Sequence, residues 1–283
     1  MKYTRWEVRR VLERNYRRAI ERLFLKLLRE IKQIDDPLLI PGAIRRYARS
    51  PTFRREARKI VLRMATQLFS DGNITWREAS RRGSRGRMLY NALQKELVNT
   101  AMGNTYKRIV EENAEWISTM PDKLAKKVTE RAAKQYESGK RPDEIAKDIR
   151  RACPEMTKAH AKLIARTETS KASTALTQAR CGALNLDWYV WRTSSDERVR
   201  DSHSIMDGVL INWNDPPNPE KLNRERHTYE NYHAGNIFNC RCYPQPLIML
   251  SDVKWPHKVY YGGRIRMMTL AEFKRIAGGN LRR

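Results

Sequence analysis

The chain has 283 residues, 57 of them Lys or Arg against 32 Asp or Glu, giving a net charge of +25 and an isoelectric point near 10.2. That length is about two domains at roughly 150 residues each, and so large a cationic surplus calls for a polyanionic partner. No apolar run approaches the roughly 18–20 residues of a membrane span, the charged start Met1-Lys2-Tyr3-Thr4-Arg5-Trp6-Glu7 is unlike a secretory signal, and cytoplasmic residence is expected.

The charge is uneven. Residues 1–110 carry 27 basic and 10 acidic side chains, residues 111–180 carry 15 and 11, residues 181–250 carry 7 and 9, and residues 251–283 carry 8 and 2. From Trp6 to Ile31, apolar residues at Val8, Leu12, Tyr16, Ala19, Leu23, Leu27 and Ile31 recur every three or four positions, which predicts a long amphipathic helix. Asp35-Asp36-Pro37 ends it, and a second stripe runs through Phe53, Ala57, Ile60, Val61, Met64 and Leu68. Asp71-Gly72-Asn73 reads as a turn, with Thr75 and Glu78 as the capping box of a short helix ending near Gly83. Arg81, Arg82, Arg85 and Arg87 follow, spaced by Gly83, Ser84 and Gly86. A loop of this kind suits a phosphate backbone, although arginine runs also serve as solvated faces.

Helical periodicity resumes through Leu89, Leu93, Leu97, Met102, Tyr106, Ile109 and Val110, and again through Leu124, Val128, Ala132 and Tyr136 to Ser138-Gly139. Pro142-Asp143-Glu144 opens a short helix to Ala152, which Pro154 should stop, and a last long helix is expected from Thr157 to Gly182. Beyond Gly182 the texture changes. Trp188–Trp191 and Gly208–Ile211 read as strands, Cys240–Leu247 as another, and Pro216-Pro217-Asn218-Pro219 as a stretch closed to helix. The fold class is therefore α+β: a basic all-α region over 1–140, a small turn-rich α+β module over 141–250, and a basic tail over 251–283.

The four cysteines are core residues, metal ligands or reactive thiols rather than a disulfide framework. In a strand, Cys240 and Cys242 of Asn239-Cys240-Arg241-Cys242 would project from one face. Their thiolates, with the imidazole of His203 from Asp196-Glu197-Arg198-Val199-Arg200-Asp201-Ser202-His203, form a donor set that favours a structural Zn2+. Asp196 is the candidate fourth ligand, with Asp201, Asp207 and His233 as alternatives. Cysteine is as often a small buried hydrophobe, so the bland reading stands beside this one. A zinc hydrolase or nuclease using His203 and Asp196 fares worst, because no H-E-x-x-H or H-x-E string supplies a base. The protein is expected not to be an enzyme.

In order and spacing, these residues resemble the phage Mu F-like minor head protein family, also called the phage head morphogenesis family. The similarity starts at Ala165-Arg166-Thr167-Glu168-Thr169, like the family's R-[ST]-E stretch, and continues through Trp191, Asp196-x-Arg198-x-Arg200-x-x-His203 and Asp207-Gly208. It closes with Gly235-Asn236 and Asn239-Cys240-Arg241-Cys242, covering roughly residues 140–247. His233-Ala234-Gly235 stands where the family's commonest pattern has Pro-Gly. The resemblance implies a virion protein of a tailed phage or prophage, present in few copies at the portal vertex of the head. It implies a role in procapsid assembly in the host cytoplasm, with portal protein, capsid or scaffolding proteins and double-stranded DNA as partners. Members can carry a toxin domain, for which the residues after Leu247 are too few. The alternative is a sequence-independent DNA-binding protein contacting phosphates through Arg81, Arg82, Arg85 and Arg87.

Overall fold

The computed structural model describes residues 6–80 and 100–277. The expected nucleic-acid contacts Arg81, Arg82, Arg85 and Arg87, and the helical stretch from Leu89 to Leu97, lie outside the described residues. Helices α1 (Arg10–Glu30), α2 (Ile40–Arg49), α3 (Pro51–Ser80), α4 (Thr100–Glu137) and α5 (Pro142–Ala183) precede a mixed region. That region holds β1 (Trp188–Arg192), α6 (Asp201–Ser204), β2 (Leu210–Asn212), α7 (Pro219–Leu222), β3 (Tyr243–Pro246), β4 (His257–Tyr261), β5 (Arg264–Met268) and α8 (Leu270–Ile276). The fold is α+β, as the sequence pattern implies. No helix among the described residues is long and apolar enough to cross a membrane.

Two long helices run through positions where the sequence predicts breaks, and a third joins two runs that the sequence shows separately. α3 passes straight through Asp71-Gly72-Asn73. Gly72 serves close approach rather than a turn: a Cβ there would collide with the Arg180 guanidinium, whose Nη2 donates to Phe69 O at 3.4 Å and Asn73 Oδ1 at 2.7 Å. Thr75 does not cap; its Oγ1 donates to Asp71 O, one turn back. α4 is continuous from Thr100 to Glu137 with Pro121 inside it. Its stripe is hard to see in sequence because Asn113 sits at a buried position, Nδ2 donating to Ile109 O and Oδ1 accepting from Tyr16 Oη. Pro154 likewise lies inside α5. Buried Thr157 donates to Cys153 O at 2.7 Å, while the proline forfeits the bond its missing N–H would make and its ring crowds the carbonyl four residues back.

The contacts divide the chain into two compact units that do not follow boundaries at 140 and 250. One comprises Arg10–Thr66 and Arg108–Ala165. Its core joins Leu27, Ile31, Ile40, Ile44, Leu124, Val128, Ile145, Ile149 and Cys153, the inward rows of α1, α2, α4 and α5. The other draws its described residues from Met1–Arg9, Gln67–Lys107 and Arg166–Arg283 and contains the sheet, ordered β3-β1-β2-β4-β5. β2 pairs β4 in parallel, and the remaining neighbours pair antiparallel.

β1 explains why the strand run reads as uniformly apolar: it is covered on both faces. Tyr189 and Trp191 enter a core with Trp76, Cys181, Met206, Trp213, Tyr232, Cys240 and Cys242. Trp188 and Val190 enter another with Leu210, Leu247, Val259, Met268 and Phe273. Residues 251–276 therefore do not form a separate tail; β4, β5 and α8 complete the sheet and cover its second face. Nor is the proline stretch closed to helix. Pro219 occupies the first position of α7, where its missing N–H costs nothing, and Asn218 Oδ1 caps the Lys221 amide at 2.9 Å.

Candidate metal centre

α6 is a single turn, but its entry is tightly specified. Arg198 N donates to Asp196 Oδ1 at 3.2 Å, Val199 N to Asp196 O at 3.1 Å and His203 N to Arg200 O at 2.9 Å, which turns the His203 ring inward. Its exit is fixed by Asp207, whose Oδ1 accepts from Thr193 N at 2.8 Å and Thr193 Oγ1 at 3.1 Å. Gly208, at φ +79°, donates to Trp191 O at 2.9 Å, so the Asp207-Gly208 pair ties the turn to β1.

Cys240 and Cys242 precede β3 and are not themselves in a strand. Their sulfurs converge through a turn: Asn239 adopts φ +55°, and the Cys242 amide donates back to Cys240 Sγ at 3.3 Å. The loop is anchored on α5, where Thr167 Oγ1 accepts from Asn239 N at 2.9 Å and Arg166 Nη1 donates to Asn239 Oδ1 at 2.8 Å.

These two loops bring His203 Nδ1 to 3.6 Å from Cys240 Sγ and 3.4 Å from Cys242 Sγ. Among the described residues, these three side chains form a cluster with metal-ligand spacing, every ligand atom within 4.8 Å of the others and all three buried. Metal–ligand bonds of about 2.3 Å to sulfur and 2.0–2.1 Å to nitrogen at tetrahedral angles imply an N···S edge of about 3.5 Å. The observed separations bracket it, so the donor set fits a soft divalent ion.

The sulfurs are chemically unequal. Accepting from the Cys242 thiol holds the Cys240 thiol well below its ordinary value, and the neighbouring His203 adds to the effect. Donating to Cys240, together with burial, pushes Cys242 far up.

Asp196 is not brought to the cluster. Its Oδ2 lies 2.7 Å from Arg241 Nη1, so it is a strut between the histidine-bearing turn and the residue that separates the two cysteines. Arg200 adds a second strut, donating to Phe238 O at 3.0 Å with its guanidinium 4.7 Å over the Phe238 ring. Of the alternatives, Asp201 is exposed at the start of α6 and Asp207 is engaged with Thr193. His233 is a core histidine, 3.2 Å from Tyr189 Oη and stacked edge-on against Trp213; burial lowers its pKa to about 4. Cys153 and Cys181 are buried thiols, and burial raises Cys153 to about 11.

Two residues that sequence reasoning missed complete the site. Tyr232 Oη lies 2.9 Å from His203 Nε2 and donates to Glu220 Oε1 at 2.6 Å. Glu220 is 1% exposed and also accepts from Ser202 Oγ at 3.4 Å. Nothing in their spacing announces this. Glu220 reads as an ordinary first-turn acid of a short helix, and Tyr232 as one more aromatic.

The family described as phage Mu protein F like protein matches residues 126–244. Over that stretch the chain is similar to the phage Mu F-like family. The match contains every residue of the cluster and its struts. The chain is also 38% identical over 92 residues to an uncharacterized protein of Haemophilus influenzae. That stretch spans 32% of this chain and 18% of the relative's length. No solved structure matches the chain.

Proposed function

We propose that the protein is a minor capsid (head morphogenesis) protein of a tailed phage or prophage, held at the portal vertex, whose Mu F-like module is stapled by Zn2+ on His203, Cys240 and Cys242. The family match carries this reading, and the geometry supports it: the ordered motif residues are spent on holding two loops together around a buried donor set. The ion would supply folding free energy to irregular loops that have few ladder hydrogen bonds of their own. Portal protein, capsid or scaffolding proteins and double-stranded DNA are its partners, and the virion head is its location. The protein is read as not an enzyme: His203, Cys240 and Cys242 are each at most 4% exposed, which suits a structural site rather than one that takes a substrate. Alanine at His203 separates the two cases: a staple loses the folded module, whereas an enzyme loses turnover with its fold intact. A reconstruction of assembled heads tests the placement, and density for this chain away from the portal vertex would overturn it.

DNA contact has its own support on α3. Arg54, Arg55, Arg58, Lys59 and Arg63 fall in two adjacent rows at i, i+4 spacing, are exposed, and have no acidic partner among the described residues. They span about 14 Å of helix axis. Five phosphate contacts would give log K against log salt a slope near −4.5. A flat salt response would reject this surface.

A further inference from the structure

Burying a carboxylate is expensive unless something retains it, and Glu220 is 1% exposed in a helix of four residues that has no need of an inward acid. Its Oε1 receives the Tyr232 hydroxyl at 2.6 Å, and Tyr232 Oη faces His203 Nε2 at 2.9 Å. The polarity of this chain is forced from its outer end. A carboxylate oxygen can only accept, so the Tyr232 proton points at Glu220; the Tyr232 oxygen is then free only to accept, and Nε2 must carry a proton to supply it. A neutral imidazole with its proton on Nε2 has its lone pair on Nδ1, which faces Cys240 Sγ and Cys242 Sγ at 3.6 and 3.4 Å. The opposite tautomer would set two lone pairs against each other in one of the two short contacts.

We propose that Glu220 and Tyr232 are positioning residues that lock His203 in its metal-ligating tautomer, presenting Nδ1 to the ion beside the two sulfurs. The inference rests on the zinc reading for its purpose, but the tautomer itself does not depend on any metal. Tyr232 acts as a spacer: Glu220 Oε1 is 3.9 Å from His203 Nε2, too far for a direct bond, and the phenol closes the gap. The ring is further confined by Trp191, edge-on at a centroid distance of 5.7 Å. Outer partners of ligating histidines typically account for 10–100-fold in metal affinity.

The test uses the full chain with Tyr232→Phe and Glu220→Gln. In metal-free wild-type protein, the 15N resonances of His203 should show a protonated Nε2; an Nε2 without a proton overturns the lock whether or not the chain binds zinc. In competition with a chromogenic chelator, Tyr232→Phe should weaken Zn2+ binding by up to about 100-fold and Glu220→Gln by about tenfold, since an amide oxygen is a weaker acceptor than a carboxylate. Co2+ spectra of both should retain thiolate ligation, showing that the sulfurs stay in place. Variants that bind as tightly as wild type overturn the lock alone. A wild-type chain that takes up no metal overturns the zinc reading and the purpose of the lock together.

Discussion

Replacing Gly235 with alanine should damage the module out of proportion to one methyl group. Gly235 has φ +86°, a left-handed conformation that costs a residue with a side chain about 1–2 kcal/mol. The space is closed as well. A Cβ there would lie 2.6 Å from Thr174 Oγ1, 2.8 Å from Ser170 Oγ and 2.8 Å from the Cys242 carbonyl oxygen. The two hydroxyls are short side chains on α5, and Thr174 is already committed, donating to Ala234 O at 2.7 Å; the third contact is backbone. Relieving such overpacking costs about 1–3 kcal/mol, so the total is about 2–5 kcal/mol, or roughly 5–15 °C of melting temperature for a unit of this size. Because one of the displaced atoms belongs to Cys242, zinc affinity should fall with stability. Denaturant unfolding and chelator competition on Gly235→Ala measure both, and a variant with wild-type midpoint and affinity would refute the packing argument.

The same substitution has the opposite sign at Gly103, which lies in α4 with open space where its Cβ would be; Gly103→Ala should stabilise by about 0.5–1 kcal/mol in denaturant titrations. Asp148 is held down to a pKa of about 2, chiefly by the Arg131 hydrogen bond at 2.6 Å and also by Gln135. A depressed carboxylate stabilises above its unfolded value and loses that contribution as pH falls through the folded one. Asp148→Asn should therefore cost about 1 kcal/mol at neutral pH, discounted for the pair's exposure, with the gap closing between about pH 4 and pH 2. Loading Zn2+ at about 1,000 times its Kd should add about 4 kcal/mol to the wild type and far less to Cys242→Ser. Equal melting shifts on chelation in the two proteins would remove the thiolate from the site.

How far the sequence reveals this molecule depends on whether each signal is local. The stripe of α1 and the doubly covered run of β1 are legible because every third or fourth position, or every position, reports burial. α4 and α5 are not legible as single helices because Asn113 and Thr157 put polar atoms at buried positions, satisfied by a carbonyl one turn back. At Gly72, what reads as a turn is room for Arg180, more than a hundred residues away in sequence. The tail's role is hidden for a related reason: β4 joins the sheet through one parallel pairing, Leu210 with Val259, which leaves no turn signal between the partners. The three soft donors could be chosen from residue type alone. Their fourth companion could not, since Asp196 carries the same chemistry whether it faces a metal or, as here, Arg241.

The motif acquires a physical meaning once its members are sorted by what they hold. His203, Cys240 and Cys242 are the candidate donors, while the other motif residues around them hold the loops: Arg166 and Thr167 on Asn239, Arg200 on the Phe238 carbonyl, Asp196 on Arg241, Asp207 on Thr193. Loops without ladder hydrogen bonds have no other means of keeping three donor atoms within a few tenths of an ångström of the separations an ion requires. The struts on the partly exposed rim, Arg241 to Asp196 and Arg200 to Phe238, contribute little to stability singly. Their loss should therefore register in metal affinity before it registers in the melting temperature, whereas loss of a donor removes both together.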